Sequence, residues 1–281
     1  SERELEIRQT NVESLREQVR AATDRFDVGE VTRTDVSQAQ AQAAASEAEL
    51  ARAKSNLARA RAVYEQIVGR APLQLAEPPP APQLPGTLEE AIEIARVGNP
   101  VLLAARAQEK QGERGVDVAR GGLSPRFDLV GSAGMVDTRY DKSFQDTNVG
   151  LTAEFRWPLF SGGLLESKTR GAQLEADRAR YQRMAVERDV TQKTTTSWHE
   201  VISAREAITA SASRVAAAEV ALEGAMQELA VGTRITLDVL DQERELLQAR
   251  LGLVDAERQS YLAIHELLAS MGRLRPESIS K

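Results

Sequence analysis

The chain has 281 residues, a formal net charge of -6, 4% aromatics and no cysteine. These values exclude thiolate metal sites, cysteine nucleophiles and disulfides, and they argue against a general nucleic-acid footprint. Ala, Glu, Arg, Gln and Leu dominate, which favours long helices packed through small residues. No 18-residue apolar run occurs, so no transmembrane helix is predicted; membrane strands, whose pattern alternates, are not excluded. The opening SERELEIRQT is already helical in pattern and carries no signal peptide, as expected of a mature or truncated chain.

Residues 2–28 are predicted to be helical, with Leu5, Val12, Leu15 and Val19 on one side. Gly29 suits the left-handed position that ends a helix. Thr32 or Thr34 can cap the next helix, which places Asp35 in its first turn. That helix runs to about Val68, and Val36, Ala43, Leu50, Leu57 and Tyr64 fall seven apart as a coiled-coil seam. Residues 71–86, APLQLAEPPPAPQLPG, predict an extended Pro-rich linker. Thr87 can cap a short helix over 88–97 with Glu90 as the capping-box acid. After a break at Gly98, Asn99 and Pro100, a further helix runs over 101–120.

The period then changes to two. Phe127, Leu129, Gly131, Ala133 and Met135 alternate with Asp128, Val130, Ser132 and Gly134. Residues 136–147 read as a polar loop, and Val149, Leu151, Ala153, Phe155 and Trp157 alternate with Gly150, Thr152, Glu154 and Arg156. Two readings stand side by side: a soluble hairpin packed on a helix, or tilted membrane strands with Trp157 and Phe160 at the lipid interface.

From about Leu164 to Val231 nothing forces a break, which predicts roughly 100 Å of helix and a coiled coil or helical barrel. The last helix runs from about Leu237 to Met271 with two seven-residue frames. One is Leu240, Leu247, Val254, Tyr261 and Leu268; the other is Val239, Leu246, Leu253, Ser260 and Leu267. The second frame is the image, 203 positions on, of Val36, Ala43, Leu50, Leu57 and Tyr64. The turn FDVGEVTRTDVSQ (26–38) likewise maps onto LAVGTRITLDVLD (229–241), with Gly29 on Gly232 and Asp35 on Asp238. An internal repeat is therefore expected, whose first copy would lack roughly 115 residues upstream of Ser1.

The doubled Val-Gly turn, the strand exit FRWPLFSGG, the long helices and the Pro-rich link resemble the TolC family of outer-membrane channel proteins. The resemblance implies a mainly α fold: antiparallel coiled-coil helices forming a tunnel, plus a β-hairpin for an outer-membrane β-barrel. The expected segments are 1–70 for the first tunnel hairpin, 71–122 for the link and equatorial helices, and 123–163 for the β-hairpin. Residues 164–272 would form the second tunnel hairpin and 273–281 a tail. The implied function is export through a homotrimer in the outer membrane, most of the chain lying in the periplasm. A periplasmic adaptor, an inner-membrane translocase and outer-membrane lipid are the implied partners.

The resemblance also implies that the tips form a cation-binding gate. Asp238 and Asp241, one turn apart on one helix face, would make two stacked acidic rings about a threefold axis. Arg234 would reach toward Thr34 and Asp35 to close the tips, with Gly29 and Gly232 shaping the turns. Leu229 stands where the family has a Tyr, so the hydrogen bond of that Tyr to the Asp of the first turn is lost. No metal site, cofactor or catalytic residue is implied. His199 and His265 read as ordinary helix residues, and no GxGxxG, Walker A, HExxH or GxSxG motif occurs. A periplasmic adaptor or scaffold without a pore is the alternative.

Overall fold

The computed structural model describes residues 1–72, 79, 82–137 and 145–274. Six helices and two strands come in the order α1 (Glu2–Asp27), α2 (Arg33–Val68), α3 (Leu88–Gly98), α4 (Pro100–Gly121), β1 (Arg126–Asp137), β2 (Gln145–Arg156), α5 (Leu164–Ala230) and α6 (Thr236–Ser270). The helix predictions hold to within a few residues. The described strands reach further into the predicted 136–147 loop, to Asp137 and from Gln145. The middle of that loop, part of the Pro-rich link and most of the tail lie outside the described residues. The chain packs as two units, Ser1–Ala91 with Thr194–Lys281, and Ile92–Lys193.

The first unit is built of helix pairs with small-residue seams. On α1, Val12 and Leu15 are buried and Leu5 and Val19 half-buried, as the spacing requires. On α2 the buried positions are Ala39, Ala43, Ser46, Ala53 and Leu57. Leu15, Ala22, Ala39, Ala43 and Leu240 form one core cluster, joining α1, α2 and α6. Ala218, Leu246 and Ala249 form another between α5 and α6. Small side chains let the helix axes approach closely and compensate for the scarcity of aromatics. Of the two frames on α6, Val239, Leu246, Ser260 and Leu267 are all buried, the serine included.

The second unit pairs α4 with the start of α5. A Cβ on Gly112 would lie 3.1 Å from the Ala176 Cα, so a larger residue there would need the facing backbone to give by a few tenths of an ångström. Arg183 is ion-paired to Glu109 of α4 at 2.8 Å and to Glu187 at 2.6 Å. Asn99 interrupts α3 and α4 by a single residue and caps α4, its Oδ1 accepting from the Val101 and Leu102 amides. Pro100 takes the first helical position, where no amide donor is needed. Thr87 caps α3 as predicted, with its Oγ1 accepting from the Glu90 amide. The Glu90 carboxylate reaches back to the Gly86 amide rather than to that of Thr87.

The strands form one antiparallel hairpin in which Phe127 pairs with Phe155, Leu129 with Ala153, Gly131 with Leu151 and Ala133 with Val149. These residues share one apolar face, and Asp128, Glu154 and Thr152 lie on the other. No helix among the described residues is long and apolar enough to cross a membrane.

Candidate functional site

The two interhelix turns are built alike. At the end of α1, the Gly29 amide donates to Phe26 O at 2.9 Å and the Glu30 amide to Arg25 O at 2.8 Å. At the end of α5, the Gly232 amide donates to Leu229 O at 3.1 Å and the Thr233 amide to Glu228 O at 2.9 Å. Each is a Schellman ending, and it requires the left-handed glycine: φ is 82° at Gly29 and 77° at Gly232. Every donor and acceptor of the first turn has its counterpart 203 positions on.

Beyond the glycines the two turns diverge, at the cap of the next helix. Thr32 caps α2 in a full capping box: its Oγ1 accepts from the Asp35 amide, and Asp35 Oδ2 accepts from the Thr32 amide at 2.8 Å. Thr32, not Thr34, is thus the cap, and Thr34 is exposed. At the start of α6 the cap position is Ile235, which has no side-chain acceptor. Asp238 occupies the place of Asp35, yet its carboxylate makes no hydrogen bond or ion pair among the described residues. Asp241 lies one turn further along α6, and its carboxylate pairs with Arg244 at 2.9 Å.

The turns face one another across a cleft of about 590 Å³, lined among others by Thr32, Asp35, Leu229, Arg234 and Ile235. Arg234, Asp35 and Leu229 thus line one cleft, while Thr34 is not among its lining residues. Arg234 itself is ion-paired to Glu228 of its own turn, while the carboxylate of Asp35 is bound by Thr32. Leu229 is half-buried and offers Asp35 only an aliphatic surface.

Three residues here were not singled out from the sequence: Glu228, Ile235 and Glu243. Glu243 is a buried acid on α6, 4% exposed. Its signal was available, because it lies four residues after Val239 and three before Leu246 on their buried stripe. Burial pushes its carboxyl above the usual range, while hydrogen bonds from Ser14 and Gln18 pull it down.

At the strand pair, Phe127, Leu129, Val149, Leu151 and Phe155 are all exposed, with Leu151 at 76%. Trp157 and, at 92%, Phe160 stand exposed at the strand exit. No helix covers this face among the described residues. Of the histidines, His265 places Nδ1 2.7 Å from Tyr261 O within its own helix.

The family model described as "Outer membrane efflux protein" matches residues 91–273. The chain is 32% identical over 274 residues to the outer membrane efflux protein BepC of Brucella suis, covering 97% of the chain and 60% of BepC. It is 27% identical over 297 residues to the outer membrane protein TolC of Escherichia coli, covering 98% of the chain and 59% of TolC. The crystal structure of the outer membrane protein VceC from Vibrio cholerae shares the fold at a TM-score of 0.75 and 23% identity. That match covers 96% of this chain and 66% of VceC. The chain thus spans about 60% of the length of these two curated relatives.

Proposed function

The chain belongs to the outer membrane efflux protein family, and from that premise we propose that it forms the tunnel and half of the strand contribution of a trimeric export channel. Its place is the outer membrane, with the helices in the periplasm. An adaptor and an inner-membrane translocase meet it at the tips. The exposed apolar face of the hairpin is suited to lipid, and an isolated two-stranded hairpin needs further strands beside it to be stable. The adaptor alternative falls with the family membership. The same membership makes the role one of transport rather than catalysis.

Within that channel we assign the gate to the two turns. The observation that carries this is the contrast between Asp35 and Asp238. The first is consumed by its capping box; the second stands at the same place in an equal turn without a partner. A carboxylate left unpartnered at a helix start is available to the pore. Three copies about an axis make a ring that attracts cations. Asp241 adds a second ring, partly neutralised by Arg244. Arg234 closes the tip by exchanging Glu228 for Asp35 across their common cleft.

The test is conductance of the full-length protein in planar bilayers. Cation-selective conductance is expected, with selectivity lost and conductance raised in Asp238→Ala/Asp241→Ala. Absence of conductance in every form would overturn the channel. Conductance with unchanged selectivity would overturn the acidic rings alone.

A further inference from the structure

Glu243 is drawn into the seam between the two hairpins. From α1, Ser14 Oγ donates to its Oε1 at 2.6 Å, and Gln18 also bonds the carboxylate. Its Oε2 is buried with no hydrogen-bond partner among the described residues. Beside it is a cavity of about 50 Å³, bordered by Thr10 and Asn11 of α1, Leu222 of α5, and Leu246 and Arg250 of α6.

The charges around this acid are engaged elsewhere. Arg250, the other charged group of the cavity lining, bonds Glu219 of α5 at 2.8 Å. On its own helix Asp241 pairs with Arg244, and Glu245 with Arg214 of α5. From α2, Ser46 Oγ donates to Asn11 Oδ1 at 2.7 Å, while Ala39 and Ala43 supply apolar surface. Arg16 of α1 is taken by Glu47 of α2. No cation neutralises Glu243 among the described residues. A carboxylate ion with an unpaired oxygen is disfavoured in such a seam, and a neutral acid far less so.

We propose that Glu243 is a proton-sensitive latch between the hairpins. As a neutral acid it stays under α1 and secures the α1–α6 seam. As a carboxylate, its proton given to solvent, it is drawn toward water and loosens the seam. Because burial raises the pKa of the folded state, the added stability is complete below the ordinary carboxylate range. It is lost as the pH rises through the raised value. The latch itself stands on the seam; that it also biases the gate one turn away rests on the channel reading.

The test is amide hydrogen exchange across residues 10–19 in the full-length protein, comparing wild type with Glu243→Gln at each pH from 4 to 8. Comparison at equal pH cancels the intrinsic exchange rate. The amide keeps the shape and cannot ionise. Protection is expected to agree within about twofold at pH 4, and to be at least about tenfold greater in the variant at pH 8. Equal protection throughout overturns the latch. Ser14→Ala removes a donor that favours the ion, so the wild-type transition is expected at higher pH. An unmoved transition overturns the role of Ser14. In bilayers, conductance is expected to rise with pH more steeply in wild type than in Glu243→Gln, which retains both acidic rings. Exchange as expected without conductance in any form leaves the latch and removes the channel reading. Conductance with identical exchange does the reverse.

Discussion

Thr32 and Ile235 occupy the same position in two otherwise equal turns, and the difference decides what the next aspartate does. The hydroxyl of Thr32 accepts from the Asp35 amide, and Asp35 answers by accepting from the Thr32 amide. Ile235 has no acceptor, so α6 begins without a side-chain cap and Asp238 keeps its carboxylate free. Ile235→Thr should restore the box. The expected gain is about 1 kcal/mol for the start of α6, read from thermal unfolding. Cation selectivity should fall in the same variant, read from the reversal potential, because Asp238 is drawn back to the backbone. A gain in stability with unchanged selectivity would count against Asp238 as the ring-forming acid. The turn glycines and both aspartates were legible in the sequence, since a left-handed turn and a first-turn acid are local requirements. The partner of Arg234 was not. Glu228 and Asp35 both lie within the reach of a long side chain, and sequence spacing does not choose between them.

At the scale of elements, the seams obey the heptad pattern, and ion pairs decorate them. Arg16 meets Glu47 across α1 and α2 at 2.7 Å. Arg250 meets Glu219 across α6 and α5 at 2.8 Å. These four positions correspond under the 203-residue shift with the charges exchanged. Pairs this exposed contribute only tenths of a kcal/mol each, so the seams are held chiefly by apolar burial. The α4–α5 contact is more sensitive. At Gly112 the opposing atom is backbone, which cannot move aside as a side-chain tip would. Gly112→Leu is expected to cost about 1–3 kcal/mol by overpacking, measured as a lowered midpoint of thermal unfolding. An unchanged midpoint would show that α4 and α5 separate at little cost. The pattern of α4 did not announce this glycine, because a close approach depends on the helix opposite.

For the molecule as a whole, the hairpin is the element we propose to meet the lipid. Its apolar face is exposed from Phe127 to Ala133 and from Val149 to Phe155. Leu151→Arg would set a cation on that face, at a cost of about 2–4 kcal/mol at the bilayer midplane. Less full-length protein should then be recovered as assembled channel in the outer-membrane fraction. Normal recovery would argue that Leu151 does not face lipid. The alternation of residues fixed the two faces of the hairpin in advance, but left a soluble and a membrane reading open. The structure leaves the apolar face exposed among the described residues, which supports the membrane reading we propose; periodicity states which residues share a side and not what covers it. The same holds along the seams. Sequence by itself determined the helices, the two left-handed turns and the acids beyond them, all set by interactions spanning a few residues. The tertiary structure decided that Glu243 is buried and that Gly112 meets backbone, because each depends on the helix that lies across the seam.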